Sequence, residues 1–182
     1  MKDLILVIDV ESVGLHGPAF AVGYTLMHFN GEILFEGTHA TNPNGMSPVD
    51  DLGLKWVNEH VKIDNFNHLN AFQMRRAFWD IWDKVRNEAW MAANCTWPVE
   101  SNFLSACIAD DPVIRMWQGP YPLLDISTIS IASGRRNYRR EERLPNELPE
   151  HNPLMDVRQS ARLLAEMLPD FNGALDILER GL

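Results

Sequence analysis

The apolar positions of this chain change their period along its length, and the change marks out its elements. Three short runs rich in β-branched and aromatic residues come first: "LILVIDV" at 4–10, "AFAVGYTLMHF" at 19–29 and "EILFEG" at 32–37. Each predicts a strand. The Gly/Pro-rich "VGLHGP" at 13–18 is a turn between the first two. Asn30-Gly31 is a pair favoured in two-residue hairpins, because both residues tolerate positive φ. The chain therefore opens as a three-strand meander.

From there the apolar spacing lengthens to three and four. Ser47-Pro48 suits an N-cap and a first helical residue, which predicts a helix to about 61. Leu69, Phe72, Phe78, Trp79, Ile81, Trp82 and Val85 recur at helical spacing up to Arg86. "AWMAA" at 89–93 is apolar on both faces, as a buried central strand is. A helix is predicted over about 99–108, a fifth strand at "VIRMW" (113–117), and a short helix after Asp125 as its N-cap. Residues 134–150 read as an irregular charged loop, and two helices, about 153–167 and 171–180, close the chain. A meander followed by alternating helices and strands predicts an α/β domain with a mixed five-stranded sheet flanked by helices. No internal repeat or long linker divides it, so 1–182 is expected to be one domain.

Composition narrows the function. Hydrophobic residues make up 46% and charged ones 23%, which is ordinary for a soluble globular protein. Lys2 precedes only five apolar residues before Asp9, too few for an export signal or a membrane span. Two cysteines, Cys95 and Cys107, do not make a disulfide framework, so reduced thiols and a cytoplasmic location are expected. The net charge of −9 argues against broad phosphate neutralisation, but not against reaching phosphates through bound metal ions. "RRNYRREER" at 135–143 runs against the trend, carrying +3 and leaving −12 for the rest.

Three places carry candidate chemistry. Asp9 and Glu11 stand two apart in a strand, hence on one face, where they repel each other unless a cation sits between them. Solvated acids at a strand end are the plain alternative. Glu100 lies in the first turn of a predicted helix, where the helix dipole alone favours an acid. In "HNPLMDV" (151–157) Asn152 and Pro153 start a helix, Asp156 sits in its first turn, and His151 lies just outside. Helix-start chemistry explains Asn152 and Pro153 but not the histidine, which is well placed to act as a base. Asp50, Asp51, Asp110, Asp111 and Asp125 read as turn and cap residues. Trp56, Trp79, Trp82, Trp90 and Trp117 read as core. Gly14 and Gly17 make no P-loop, because no lysine follows.

In order and context these pieces resemble the DEDDh 3′–5′ exonuclease superfamily, the ribonuclease T-like branch of the ribonuclease-H-like fold. Its pattern is Asp-x-Glu, then Asp, then His-x4-Asp. Asp9, Glu11, His151 and Asp156 match it letter for letter, and the resemblance runs over most of the chain. "VESNFL" looks like the middle motif, with Val99 and Glu100 where Phe and Asp usually stand. Glutamate keeps the charge and adds a methylene.

The resemblance implies two-metal phosphodiester hydrolysis with Mg²⁺ or Mn²⁺. It implies that Asp9 bridges both ions, Glu11 and Asp156 hold the ion carrying the nucleophilic water, Glu100 helps place the other, and His151 is the general base. The loop position implies that His151 swings in when substrate binds. Ser12, Val13, Gly14, Leu15 and His16 stand where family members bind the terminal nucleotide, although a plain turn explains them equally. Arg135, Arg136, Arg139 and Arg140, with Arg143, are candidate phosphate contacts; a solvated loop balanced by Glu141 and Glu142 is the alternative. The expected substrate is the 3′ end of a single-stranded nucleic acid. RNA is favoured over DNA because small free-standing members often act on RNA, and many of them pair as homodimers. No polymerase or helicase segment accompanies the domain, so built-in proofreading is not expected. The alternative is a weak or inactive 3′-end binding module of the same fold, with Glu100 as the cause. An endonuclease of ribonuclease H type lacks the His-x4-Asp arrangement.

Overall fold

A computed structural model describes residues 2–47, 50–135 and 142–180, with 169–180 as backbone only. The strands are β1 (Leu4–Ser12), β2 (Ala19–His28), β3 (Ile33–Ala40), β4 (Ala89–Ala93) and β5 (Leu123–Asp125). The helices are α1 (Asp51–His60), α2 (Ala71–Val85), α3 (Val99–Ala109), α4 (Pro112–Arg115), α5 (Ile126–Ala132) and α6 (Pro153–Arg180). The five strands form one sheet in the order β3-β2-β1-β4-β5. β1 is central, antiparallel to β2 and parallel to β4, and β5 is parallel to β4. The meander closes at the expected hairpin, with Gly31 at φ +87° and the Gly31 amide donating to the His28 carbonyl at 2.9 Å.

Strand alternation sorts β1 into two faces. Leu6, Ile8 and Val10 pack beneath α2 and α3 with Phe78, Trp82 and Phe103. Ile5 and Val7 pack beneath α6 with Val157, Ala161 and Leu164. Asp9 and Glu11 continue this second face, so the same period that makes a core at the start of β1 delivers carboxylates at its end. β4 stops with Ala93 opposite Ile8. The strand that covers one side of β1 thus ends just before Asp9, and a cleft opens there at the carboxyl ends of parallel strands.

Glycine at position 23 lets α6 reach that cleft. Gly23 lies opposite Asp9 on β2. A Cβ added there would lie 2.1 Å from the Pro153 carbonyl oxygen. Gly23→Ala is therefore expected to cost roughly 1–3 kcal/mol in urea denaturation, through a forced shift of the α6 start. Stability equal to wild type would show that α6 has room to retreat.

Four expectations are corrected. The first helix starts at Asp51, not at Ser47-Pro48, because the Asp50 carboxylate caps it by accepting from the Gly53 amide at 2.7 Å. "VIRMW" is not a strand. Asp111 caps α4, Pro112 occupies its first turn, and this pairing outweighs the β-propensity of a short apolar run. The fifth strand is Leu123–Asp125 instead. The chain closes in one helix from Pro153 to Arg180 rather than two; Pro169 removes one intrahelical hydrogen bond but does not oblige the chain to leave the helix. Trp79 and Trp82 are core, but Trp56 is 44% and Trp117 90% exposed. Cys95 and Cys107 are free thiols. Among the described residues no helix is long and apolar enough to cross a membrane.

Candidate active site

Three elements meet in the cleft. β1 supplies Asp9 and Glu11, and its pairing with β2 slips between Glu11 and Ser12, which ends the regular strand. α3 supplies Glu100 in its first turn, only 5% exposed. Asp125 fixes the connection that leads there. Its carboxylate accepts from the Thr96 amide at 2.8 Å and the Thr96 hydroxyl at 3.1 Å, and also caps α5 through the Thr128 amide at 2.7 Å. Those donors, with the Ser127 hydroxyl, outweigh burial and hold Asp125 down at about 2. Asp125 is a cap, as its position suggested.

The start of α6 supplies the rest. The Asn152 side chain accepts from the Leu154 amide at 3.1 Å, capping the helix, and Asp156 points from the first turn. One Asp156 oxygen accepts from the His151 amide at 3.0 Å. The other accepts from the Arg143 guanidinium at 2.5 Å. His151 adopts φ +58°, a left-handed conformation that turns the chain back on itself ahead of the helix. Its carbonyl accepts from the Lys62 amide at 2.8 Å, and its ring stands edge-on to Trp56 with centroids 5.0 Å apart. Trp56 is in turn stacked on His60 at 4.8 Å. One nitrogen of His151 and one oxygen each of Glu11 and Asp156 lie within 4.8 Å of one another. One ring nitrogen thus already stands close to two of the acids.

The electrostatics are those of a site short of positive charge. Burial, then Glu11, Asp156 and Glu100, push Asp9 well above the usual carboxylate range, against the pull of Arg143. Burial, then Asp156 and Glu100, raise Glu11 to about 8. Burial, then Asp125, raise Glu100 to about 7 although backbone amides pull it back. Burial raises Asp156 in spite of Arg143 and His151. Hard oxygen donors crowded in this way suit Mg²⁺ or Mn²⁺, whose charge would offset both burial and repulsion.

This crowding makes stability depend on pH. Unfolded, Glu11 and Glu100 release their protons near 4.5; folded, they hold them to about 8 and 7. The folded state binds more protons between these values, so stability is full below about 4.5 and falls as pH rises through 7 and 8. In EDTA the melting temperature is expected to drop on the order of 5 °C from pH 5 to pH 8.5. Mn²⁺ should restore most of that loss at pH 8.5 and little at pH 5. A flat profile in EDTA would contradict the crowding.

The remaining candidates fall around the cleft. The Ser12 hydroxyl donates to the Gly14 carbonyl at 2.8 Å, and Gly14 has φ +75°. Val13 is buried with Phe20 and Val57, so its side chain belongs to the core. Leu15, 67% exposed, and His16 project from the turn. Arg135 forms an ion pair with Glu166 on α6 at 2.8 Å. Arg136, Arg139 and Arg140 lie outside the described residues. Trp97, which belongs to no motif, is exposed 6.4 Å from the His16 ring, and Trp56, expected in the core, is exposed beside His151. Arg143, expected in a phosphate-guiding loop, lies on Asp156. The acid–arginine contact has no local signature, whereas a tryptophan two residues before a candidate helix is a local signal for Trp97.

No protein-family model matches the sequence, and no curated protein matches it. Solved structures do. E. coli exonuclease I in a zinc-bound complex with single-stranded DNA superposes with TM-score 0.64 at 11% identity, covering 98% of this chain but 43% of its own. A 3′-exonuclease described in 3′-end recognition of a histone mRNA stem-loop superposes with TM-score 0.65 at 14% identity, covering 93% and 83%. S. pombe Pop2p, with Mg²⁺ and Mn²⁺ bound, gives 0.64 at 11%, covering 90% and 82%. This chain spans less than half the length of exonuclease I. It has the ribonuclease-H-like fold of these proteins, in keeping with its resemblance to the DEDDh exonucleases.

Proposed function

We propose that this protein is a metal-dependent 3′–5′ exonuclease that hydrolyses phosphodiester bonds at the 3′ ends of single-stranded nucleic acid, RNA in preference to DNA. One observation carries the reading: Glu11, His151 and Asp156 present donor atoms within 4.8 Å of one another beside Asp9 and Glu100, in a fold shared with 3′-exonucleases. Asp9, Glu11, Glu100 and Asp156 would hold two divalent cations, Mg²⁺ or Mn²⁺. Bound there, the cations would offset phosphate charge and acidify a water.

The chain's own groups do the rest. His151 takes the proton of the attacking water at a ring nitrogen; Trp56 and the Lys62 amide keep the ring and its carbonyl in place. Leu15 and His16, with Trp97 beside them, offer the last base an apolar and aromatic surface, which tolerates any base. The backbone around Ser12, Val13 and Gly14 approaches the terminal sugar. The preference for RNA is an analogy with small free-standing exonucleases. Residues 1–182 would form one exonuclease domain acting in the cytoplasm, and would pair as a homodimer by the same analogy.

The test uses 5′-labelled single-stranded RNA and DNA oligomers with Mn²⁺, Mg²⁺ or EDTA. A ladder that shortens from the 3′ end, is lost in EDTA and runs faster on RNA is the expected result. Retained 3′-end binding without cleavage under any metal would replace the reading with a binding module and point to Glu100.

A further inference from the structure

Arg143 occupies a place that a solvated loop arginine does not. Its Nη1 donates to Asp156 at 2.5 Å and to the Glu147 carbonyl at 2.9 Å, and its Nε lies 3.4 Å from Glu150. Only 17% of its side chain is exposed, and 14% of that of Asp156. Its positive charge is felt at both Asp9 and Asp156. The backbone behind it is anchored. Glu147 is buried, accepts from the Leu144 amide at 2.9 Å and pairs with Arg162 of α6 at 2.6 Å. The guanidinium can therefore leave Asp156 by side-chain rotation alone, without unfolding its loop.

Charge decides which partner the guanidinium keeps. In the cation-free protein a guanidinium among crowded carboxylates relieves repulsion. Beside divalent ions on those carboxylates it becomes a like charge at short range, in a setting where screening by solvent is weak. A strand in the cleft then offers it a phosphate, for which a planar guanidinium is a bidentate partner. We propose that Arg143 is a built-in counter-cation: it holds Asp156 in the cation-free protein, gives way when divalent ions bind, and then grips the phosphate of the strand being cut. This rests on the metal-dependent reading above.

The experiment compares wild type, Arg143→Met and Arg143→Lys, freed of metal. Mn²⁺ binding is measured by titration calorimetry without nucleic acid, then KM and kcat on a labelled oligomer at saturating Mn²⁺. Arg143→Met is expected to bind Mn²⁺ roughly tenfold tighter, because the ion no longer competes with the guanidinium, and to melt lower in EDTA. Its KM should rise by roughly tenfold with a smaller change in kcat, and Arg143→Lys should fall between. Unchanged or weaker Mn²⁺ binding in the variants would overturn the exchange and make Arg143 a fixed support for Asp156. An unchanged KM would overturn the phosphate contact. If Arg143→Met does not fold, Arg143→Lys decides by the same criteria. Absence of Mn²⁺ binding by wild type would remove the metal-dependent reading and the exchange together, whereas binding that is equal in all three removes the exchange alone.

Discussion

Asp9→Asn is expected to abolish metal-dependent cleavage while making the metal-free protein more stable. Both effects come from one cause. Asp9 is raised well above the usual carboxylate range first by burial and then by Glu11, Asp156 and Glu100. Asparagine has the same shape but nothing to ionise, so it removes the cost of either charging or protonating a carboxyl in the middle of the cluster. About 1 kcal/mol moves the melting temperature of a chain this size by roughly 2–4 °C, and a rise of a few degrees in EDTA is expected. The same change removes a ligand central to the proposed ion site. Metal ions supply several kcal/mol of transition-state stabilisation, so a loss of about 10³-fold or more in rate is expected. Calorimetry in EDTA and the labelled-oligomer assay check the two halves separately. A variant that melts lower than wild type, or that cleaves at its rate, would remove Asp9 from the centre of the site.

His151→Ala should slow cleavage by about 10²–10⁴-fold and leave Mn²⁺ affinity within a few-fold of wild type. The geometry admits two roles for this ring. Its nitrogen lies close enough to Glu11 and Asp156 to serve as a ligand. It is also held edge-on to Trp56, with its own amide donating to Asp156. A base needs that fixed aim, since proton transfer requires hydrogen-bond reach. A ligand would take the metal with it when removed. Steady-state rates and Mn²⁺ titration on the same sample separate the roles: slow turnover with intact binding marks a base, whereas a parallel fall in both marks a ligand. Trp56→Ala should reproduce the first pattern in weaker form, by loosening the ring.

Much of the site could be read from local patterns because its residues sit at element ends, where side chains obey short-range rules. Asp9 and Glu11 share a face because strand side chains repeat every two residues. Asp156 and Asn152 follow from helix-start chemistry, and Asp125 from capping. The failures have the opposite character. "VIRMW" reads as a strand by propensity, but Asp111 and Pro112 start a helix there. Trp56 fits an apolar stripe but faces His151 across a gap of sequence that no period describes. Arg143 and Asp156 lie thirteen residues apart across an irregular loop, and nothing local pairs them.

By itself, the sequence determined which acids and which base are available, their order, and the strand end or helix start that carries each. It also determined the meander and the α/β alternation, because both rest on hydrophobic period and turn residues. The tertiary structure decided what those groups do to each other. Gly23 lets the start of α6 approach β2 opposite Asp9, and the early end of β4 opens the cleft. Burial there turns ordinary carboxylates into a cluster that holds its protons and favours a cation. Proximity and desolvation arise only when distant segments pack, so charge state and the partnership of Arg143 with Asp156 belong to the fold.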